Sequence, residues 1–164
     1  MIKPDNMKKS LLLMLTLSII VSSCKKDSSS QTNGGSWTFN AATYQAASCV
    51  ADSQLATLTA VSNVSGSPFS NIVVSFYHKL PDSTATYIVA REGNLSPGHL
   101  SLSVAYQTST TTTYYTSVVG NGNQKASVTV TNGKISVSGT NIEILNLGGN
   151  TDSTRLSFNI TQTQ

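Results

Sequence analysis

The stretch ASVTVTNGKISVSG, residues 126–139, constrains the fold of this chain more tightly than any other part of it. Asn132-Gly133 supplies the two positive φ angles that a two-residue type I′ turn requires, and such a turn matches the twist of the strands it joins. Folding about that pair sets Thr131 opposite Lys134, Val130 opposite Ile135 and Val128 opposite Val137. All four apolar side chains then share one face. A slip of one residue would turn every one of them to solvent, so turn chemistry and alternation fix the same register independently.

The same period of two recurs along the chain. In HLSLSVAYQ, Leu100, Leu102, Val104 and Tyr106 share a face; in RLSFNIT, Leu156, Phe158 and Ile160 do. NIVVSFYH places Ile72, Val74 and Phe76 on one side. TATYIVAR follows it through KLPDS, where Pro81-Asp82 marks a turn. SWTFNAATYQAASCV reads as two short strands around Asn40-Ala41-Ala42, with Trp37 and Phe39 on one face. QLATLTAV and the β-branched TTTTYYTSVV are further strands, with loops over NVSGSPFSN and GNGNQ. TNIEILNL breaks alternation, because Ile142 and Ile144 have one parity and Leu145 and Leu147 the other; a bulge or a doubly buried stretch would account for it. No window carries a long amphipathic helix. About ten strands on short turns imply an all-β domain, read here as a single antiparallel β-sandwich, with a closed barrel as the alternative.

The start of the chain is of a different kind. Met7-Lys8-Lys9-Ser10 is basic, Leu11 to Val21 holds no charge, and the small Ser22 and Ser23 precede Cys24. Met1 to Asn6 reads as an upstream extension, which makes Met7 an alternative initiator to Met1. At ~1.5 Å per residue the apolar run covers about half of a ~30 Å hydrocarbon core, which suits a signal-peptide core and not a spanning helix. Val21-Ser22-Ser23-Cys24 resembles the bacterial lipobox, in which the cysteine sulfur takes a diacylglycerol before cleavage on its amino side. The resemblance implies lipidation at Cys24 and anchorage in a membrane. The CKKD start resembles mature lipoproteins of the Bacteroidetes, and Lys25 is not the aspartate that retains lipoproteins in the inner membrane of enteric bacteria. The expected address is therefore the outer membrane. Ser28 to Ser36 has no apolar residue and reads as a tether. The expected organisation is a signal peptide over 1–23, lipidated cysteine and tether over 24–35, and the β domain over 36–164.

Charge narrows the partners. The formal net charge of +3 resides before residue 36; beyond it Lys79, Arg91, Lys125, Lys134 and Arg155 balance Asp52, Asp82, Glu92, Glu143 and Asp152. A neutral domain without a basic patch does not suit nucleic acid. With Cys24 carrying lipid, Cys49 has no cysteine to pair with and reads as a buried small hydrophobe. His78 and His99 stand alone, so no metal or cofactor site is expected. Serine is abundant but no Gly-x-Ser-x-Gly elbow is present, and the five acids fall mostly at turns. No catalytic residue is assigned. The expected role is binding or scaffolding, with an unidentified glycan or protein partner; the alternatives are a carrier of a small apolar ligand, a carbohydrate-binding module and a hydrolase.

Three further resemblances add to this. Gly35-Ser36-Trp37 is similar to the Gly-x-Trp that opens many lipocalins, which implies a barrel floor closed by Trp37 with Arg155 over it; Arg155 has outward parity relative to Leu156. The opening Trp-Thr-Phe strand and the late Asn-Gly-Lys hairpin resemble small Bacteroidetes lipoproteins, a likeness that carries fold and address but no activity. Asp82-Ser83-Thr84 and Asp152-Ser153-Thr154 match the Bacteroidetes O-glycosylation pattern, which implies Ser83 and Ser153 as modification sites.

Overall fold

The computed structural model describes residues 34–62, 69–118, 124–148 and 152–163, all within one compact unit, Thr32–Gln164. The span read as a signal peptide, Cys24, most of the span read as a tether and most of the loops read over NVSGSPFSN and GNGNQ lie outside the described residues. Ten strands form among those described: β1 Gly35–Phe39, β2 Ala42–Asp52, β3 Thr57–Ser62, β4 Phe69–Phe76, β5 Ala85–Ala90, β6 His99–Gln107, β7 Thr112–Ser117, β8 Lys125–Thr131, β9 Lys134–Asn146 and β10 Ser153–Thr161.

Local chemistry governs the hairpins. Asn132 and Gly133 have φ of 52° and 76°, and β8 pairs with β9 through Thr131–Lys134, Val130–Ile135 and Val128–Val137, the register that the turn and the alternation require. Asn40 and Ala41 do the same between β1 and β2, with φ of 50° and 60°. Gly35, at φ 94°, lies so close to β10 that a Cβ there would meet the Asn159 carbonyl oxygen at 1.9 Å. The first strand thus begins inside the span read as tether.

Two bulges redirect the longest strands. In β9, Ile135, Val137 and Gly139 face the core, and then Ile142 and Ile144 do. The change of parity falls where Thr140 and Asn141 together oppose Ser157 of β10, with Asn141 at φ 57°. This resolves the broken alternation of TNIEILNL as a bulge that points Leu147 outward. In β2 a register shift between Ala46 and Ser48 moves the buried parity from Tyr44 to Cys49.

The hydrogen bonds run in a ring. They pass from β10 through β1, β2, β3 and β4 to β6, and β9 returns them to β10. Between β6 and β9 the wall splits. β6 pairs by His99–Ser101 with β5 and by Ser103–Gln107 with β7. β9 pairs by Lys134–Ser138 with β8 and by Ile144–Asn146 with β7. One route therefore closes through β7 and the other through β5 and β8. The all-β expectation holds, but the strands form one sheet joined all the way round and not two separate sheets. The split keeps that ring from being a regular barrel. Nor is it wholly antiparallel: β5 does not fold back on β4 after the Pro81-Asp82 turn but lies beyond β6 and runs parallel to it.

At the split, backbone groups without ladder partners are satisfied by Ser117 and Gln124, as buried polar groups require. Ser117 Oγ accepts from Leu102 N at 3.0 Å and donates to the Ala90 carbonyl. Gln124 Oε1 accepts from Glu143 N, and the Gln124 carbonyl accepts from Val89 N at 2.8 Å.

The interior of the ring is filled: Trp37, Phe39, Leu58, Ile72, Leu102 and Ile144 are fully covered. Trp37 stacks on Tyr44 with ring centroids 5.8 Å apart, and its Nε1 donates to Ser70 Oγ at 3.0 Å. Arg155 does not cover it. Its guanidinium lies outside, 3.7 Å from Glu143 and donating to the Asn141 carbonyl at 3.3 Å. The lipocalin-like closure is therefore absent, because the parity of β10 that buries Leu156 turns Arg155 to solvent.

Candidate functional site

The residues with chemical potential are dispersed, each in local use. Asp52 Oδ1 accepts from Gln54 N and Leu55 N at 2.8 and 3.0 Å, closing the turn before β3. Asp82 pairs with Lys79 at 2.7 Å; the bond holds the carboxyl below its ordinary range and the ammonium above its own. His99 Nδ1 shares a hydrogen bond with Ser96 Oγ at 2.7 Å. His78, at φ 60°, lies against Tyr77 with ring centroids 3.9 Å apart. Among the described residues no three of His, Cys, Asp and Glu come together as metal ligands.

Cys49 is a buried free thiol, as its setting in the sequence implies. Burial pushes its pKa up to about 12, the opposite of what a nucleophile needs. The last residues seal this part of β2: Thr163 N donates to the Cys49 carbonyl at 2.8 Å, and Cys49 N donates to Thr163 Oγ1 at 3.1 Å. Ser83 is exposed, and its hydroxyl donates to Asp82 Oδ1 at 3.3 Å. Ser153 opens β10, exposed but paired with Leu145. The two triplets that resemble the O-glycosylation pattern therefore differ: one stands on a connection and the other in a strand.

What the structure adds is a surface feature made by the parallel pair. To run β6 alongside β5, the chain must travel back over the wall, and residues 91–98 do so on the outside. Glu92 Oε2 accepts from Ser103 Oγ at 3.4 Å, placing this crossover on the outer face of β6. Ser101, with outward parity, is consequently buried. Turns from Asn94 N to the Arg91 carbonyl and from His99 N to the Ser96 carbonyl shape the crossover, and Gly93 and Gly98 take positive φ.

Hollows lie along its margins. One, of about 370 Å³, lies over the outward side chains of β4 and β6, between Glu92 of the crossover and Tyr114 and Leu147. A second, of about 410 Å³, takes in Gly93 and Leu95 with Leu55, Tyr77 and His78. A third, of about 360 Å³, lies between the 77–84 connection, Tyr87 and Pro97-Gly98. All are open to solvent. The sequence could not show them, since they depend on a crossover between strands whose pairing no local motif encodes. The broken alternation of TNIEILNL marks an irregularity near Leu147 without showing that its side chain is exposed. Comparison with known proteins found no matching family model, no similar curated protein and no similar solved structure.

Proposed function

We propose that this protein is a lipid-anchored cell-envelope lipoprotein, held in the outer membrane through Cys24, whose β domain binds a partner on its outer wall without catalysis. The observation that carries the reading is the order of the N-terminal signals: basic start, uncharged run, two small residues, Cys24, then a polar tether. At roughly 0.8 kcal/mol per buried methylene, two or three acyl chains hold far more firmly than one.

The domain's construction supports the rest. A transmembrane barrel presents apolar side chains outward and polar ones inward; here Val128, Leu156 and Ile160 face in, while Ser127, Thr129 and Asn159 face out. The filled interior speaks against a carrier with an internal cavity, and in that respect the ring is packed like a sandwich. The dispersed acids and histidines speak against a hydrolase. Ser83, on its exposed connection, suits modification better than Ser153, whose backbone is engaged in a strand.

The anchor is tested by Cys24→Ser in cells fed a labelled fatty acid. Loss of the label and of detergent-phase partitioning is expected; continued incorporation would overturn the assignment.

A further inference from the structure

Four of the five large apolar side chains exposed among the described residues lie in the two hollows beside the crossover: Tyr114 (57% exposed) and Leu147 (56%) in one, Leu55 (70%) and Tyr77 (38%) in the other. These hollows lie end to end along β4. Its outward residues Asn71, Val73 and Ser75 line the first and Tyr77, two residues on, the second. Glu92 and Gly93, adjacent in the crossover, border one each. From Asn71 to Tyr77 the chain advances roughly 20 Å at ~3.3 Å per residue. The two hollows, taken in line, give a channel with an aromatic–aliphatic station at either end and a mixed floor of Asn71, Val73, Ser75, Ser103 and Ala105 in the first. His78 packs on the Tyr77 ring.

The lining selects among ligands. Among the described residues Glu92 is the one carboxylate in the two hollows, and no lysine or arginine lines either, so a polyanion finds no strong cation there. β4 is hydrogen-bonded to β3 on one side and β6 on the other, so an extended peptide finds no free strand edge to join. The hollows are open to solvent, unlike the enclosed apolar pockets that hold lipids. What remains is a neutral chain whose units each offer an apolar face and several hydroxyls. Ring faces can lie on tyrosines, and hydroxyls can donate to the Glu92 carboxylate. Asn71 Oδ1 already accepts from Ala105 N at 3.1 Å, which leaves its amide donors for a ligand.

We propose that the channel between Tyr114 and Tyr77, walled by the crossover 91–98, binds a neutral linear glycan, the two tyrosines acting as separate stacking stations. This rests on the reading of the domain as a binding module and specifies its ligand class. The test is calorimetry of the full chain in detergent micelles against neutral oligosaccharides of the gluco-, manno-, xylo- and galacto-series in increasing length. Affinity in one series should rise with length until both stations are spanned. Tyr114→Ala and Tyr77→Ala should each then weaken the longer chains about tenfold, the loss of one good contact. Tyr114→Phe, which keeps the ring, should retain most of the affinity. Thermal melting checks that these exposed substitutions leave the fold intact. Absence of binding across the panel would overturn the proposal, and so would binding that neither alanine variant weakens. A displayed random-peptide library provides the separating arm: peptides captured by the native protein and lost on the same alanine variants, with no oligosaccharide bound, would overturn the glycan class while leaving the binding reading intact.

Discussion

The β8–β9 hairpin and the split wall around β5, β6 and β7 are built from the same kinds of residue but specified in different ways. In the hairpin, two residues of turn fix the register and the alternation confirms it; each strand's first partner is its neighbour in sequence. In the split wall, β6 exchanges one partner for another within a few residues, β5 arrives parallel through an outside crossover, and Ser117 bonds both Leu102 and Ala90 where the ladder stops. A hairpin is therefore a local decision. A seam of this kind forms only once the rest of the ring has placed its edges.

Substitutions that probe both regions sharpen the contrast. The largest loss is expected from Ile135→Ala, which empties a buried site in the hairpin; roughly 2–5 kcal/mol is usual for such a truncation. Ser117→Ala should follow at about 2–4 kcal/mol. It strands a buried N–H and a buried carbonyl, each costing about 1–2 kcal/mol, the lower part of the range for an unpaired group. Its effect exceeds anything that a serine in an ordinary strand would give. Gly133→Val should cost about 1–3 kcal/mol, chiefly through backbone strain at its φ of 76°, because a Cβ there meets nothing within 4 Å. Chemical denaturation of the three gives the ranking. A Ser117→Ala loss smaller than that of Gly133→Val would mean that the seam contributes little and the split wall is held by packing.

The smallest effects separate two residues that alternation treats as equivalent. Thr129 and Ser136 face each other on the outer side of the hairpin. Thr129→Val should be within about 0.5 kcal/mol of neutral. Ser136→Val should cost about 0.5–1.5 kcal/mol, because Ser136 Oγ donates to Thr161 Oγ1 of β10 at 3.0 Å. Equal melting behaviour of the two would count against that bond.

Those residues also mark how far the sequence could be read. Alternation identified the buried faces of β4, β6, β8 and β10, and the core parity of Trp37 and Phe39, because these depend only on each strand's own pattern. It placed QLATLTAV in a strand, yet the chain becomes β3 only at Thr57; Gln54 and Leu55 are held in a turn by Asp52, a side-chain effect that apolar spacing does not register. It could not reveal that β5 lies beyond β6, because Pro81-Asp82 encodes a turn and not the strand that follows it as partner. The hollows beside the crossover inherit that opacity. Tyr114 and Tyr77 are unremarkable in sequence, and only the path of residues 91–98 brings them to the ends of one channel.

The arrangement of β5 is tested most directly by backbone nuclear Overhauser measurements on the full chain in detergent. A ring closed through a split wall requires parallel contacts linking Ile88 with His99 and Val89 with Leu100. It also requires slow amide exchange at Ile88, which donates to the Gly98 carbonyl at 3.0 Å, and at Leu102, bonded to Ser117. Antiparallel contacts between β4 and β5 across the Pro81-Asp82 turn would contradict it, and with it the crossover and the channel that the crossover walls.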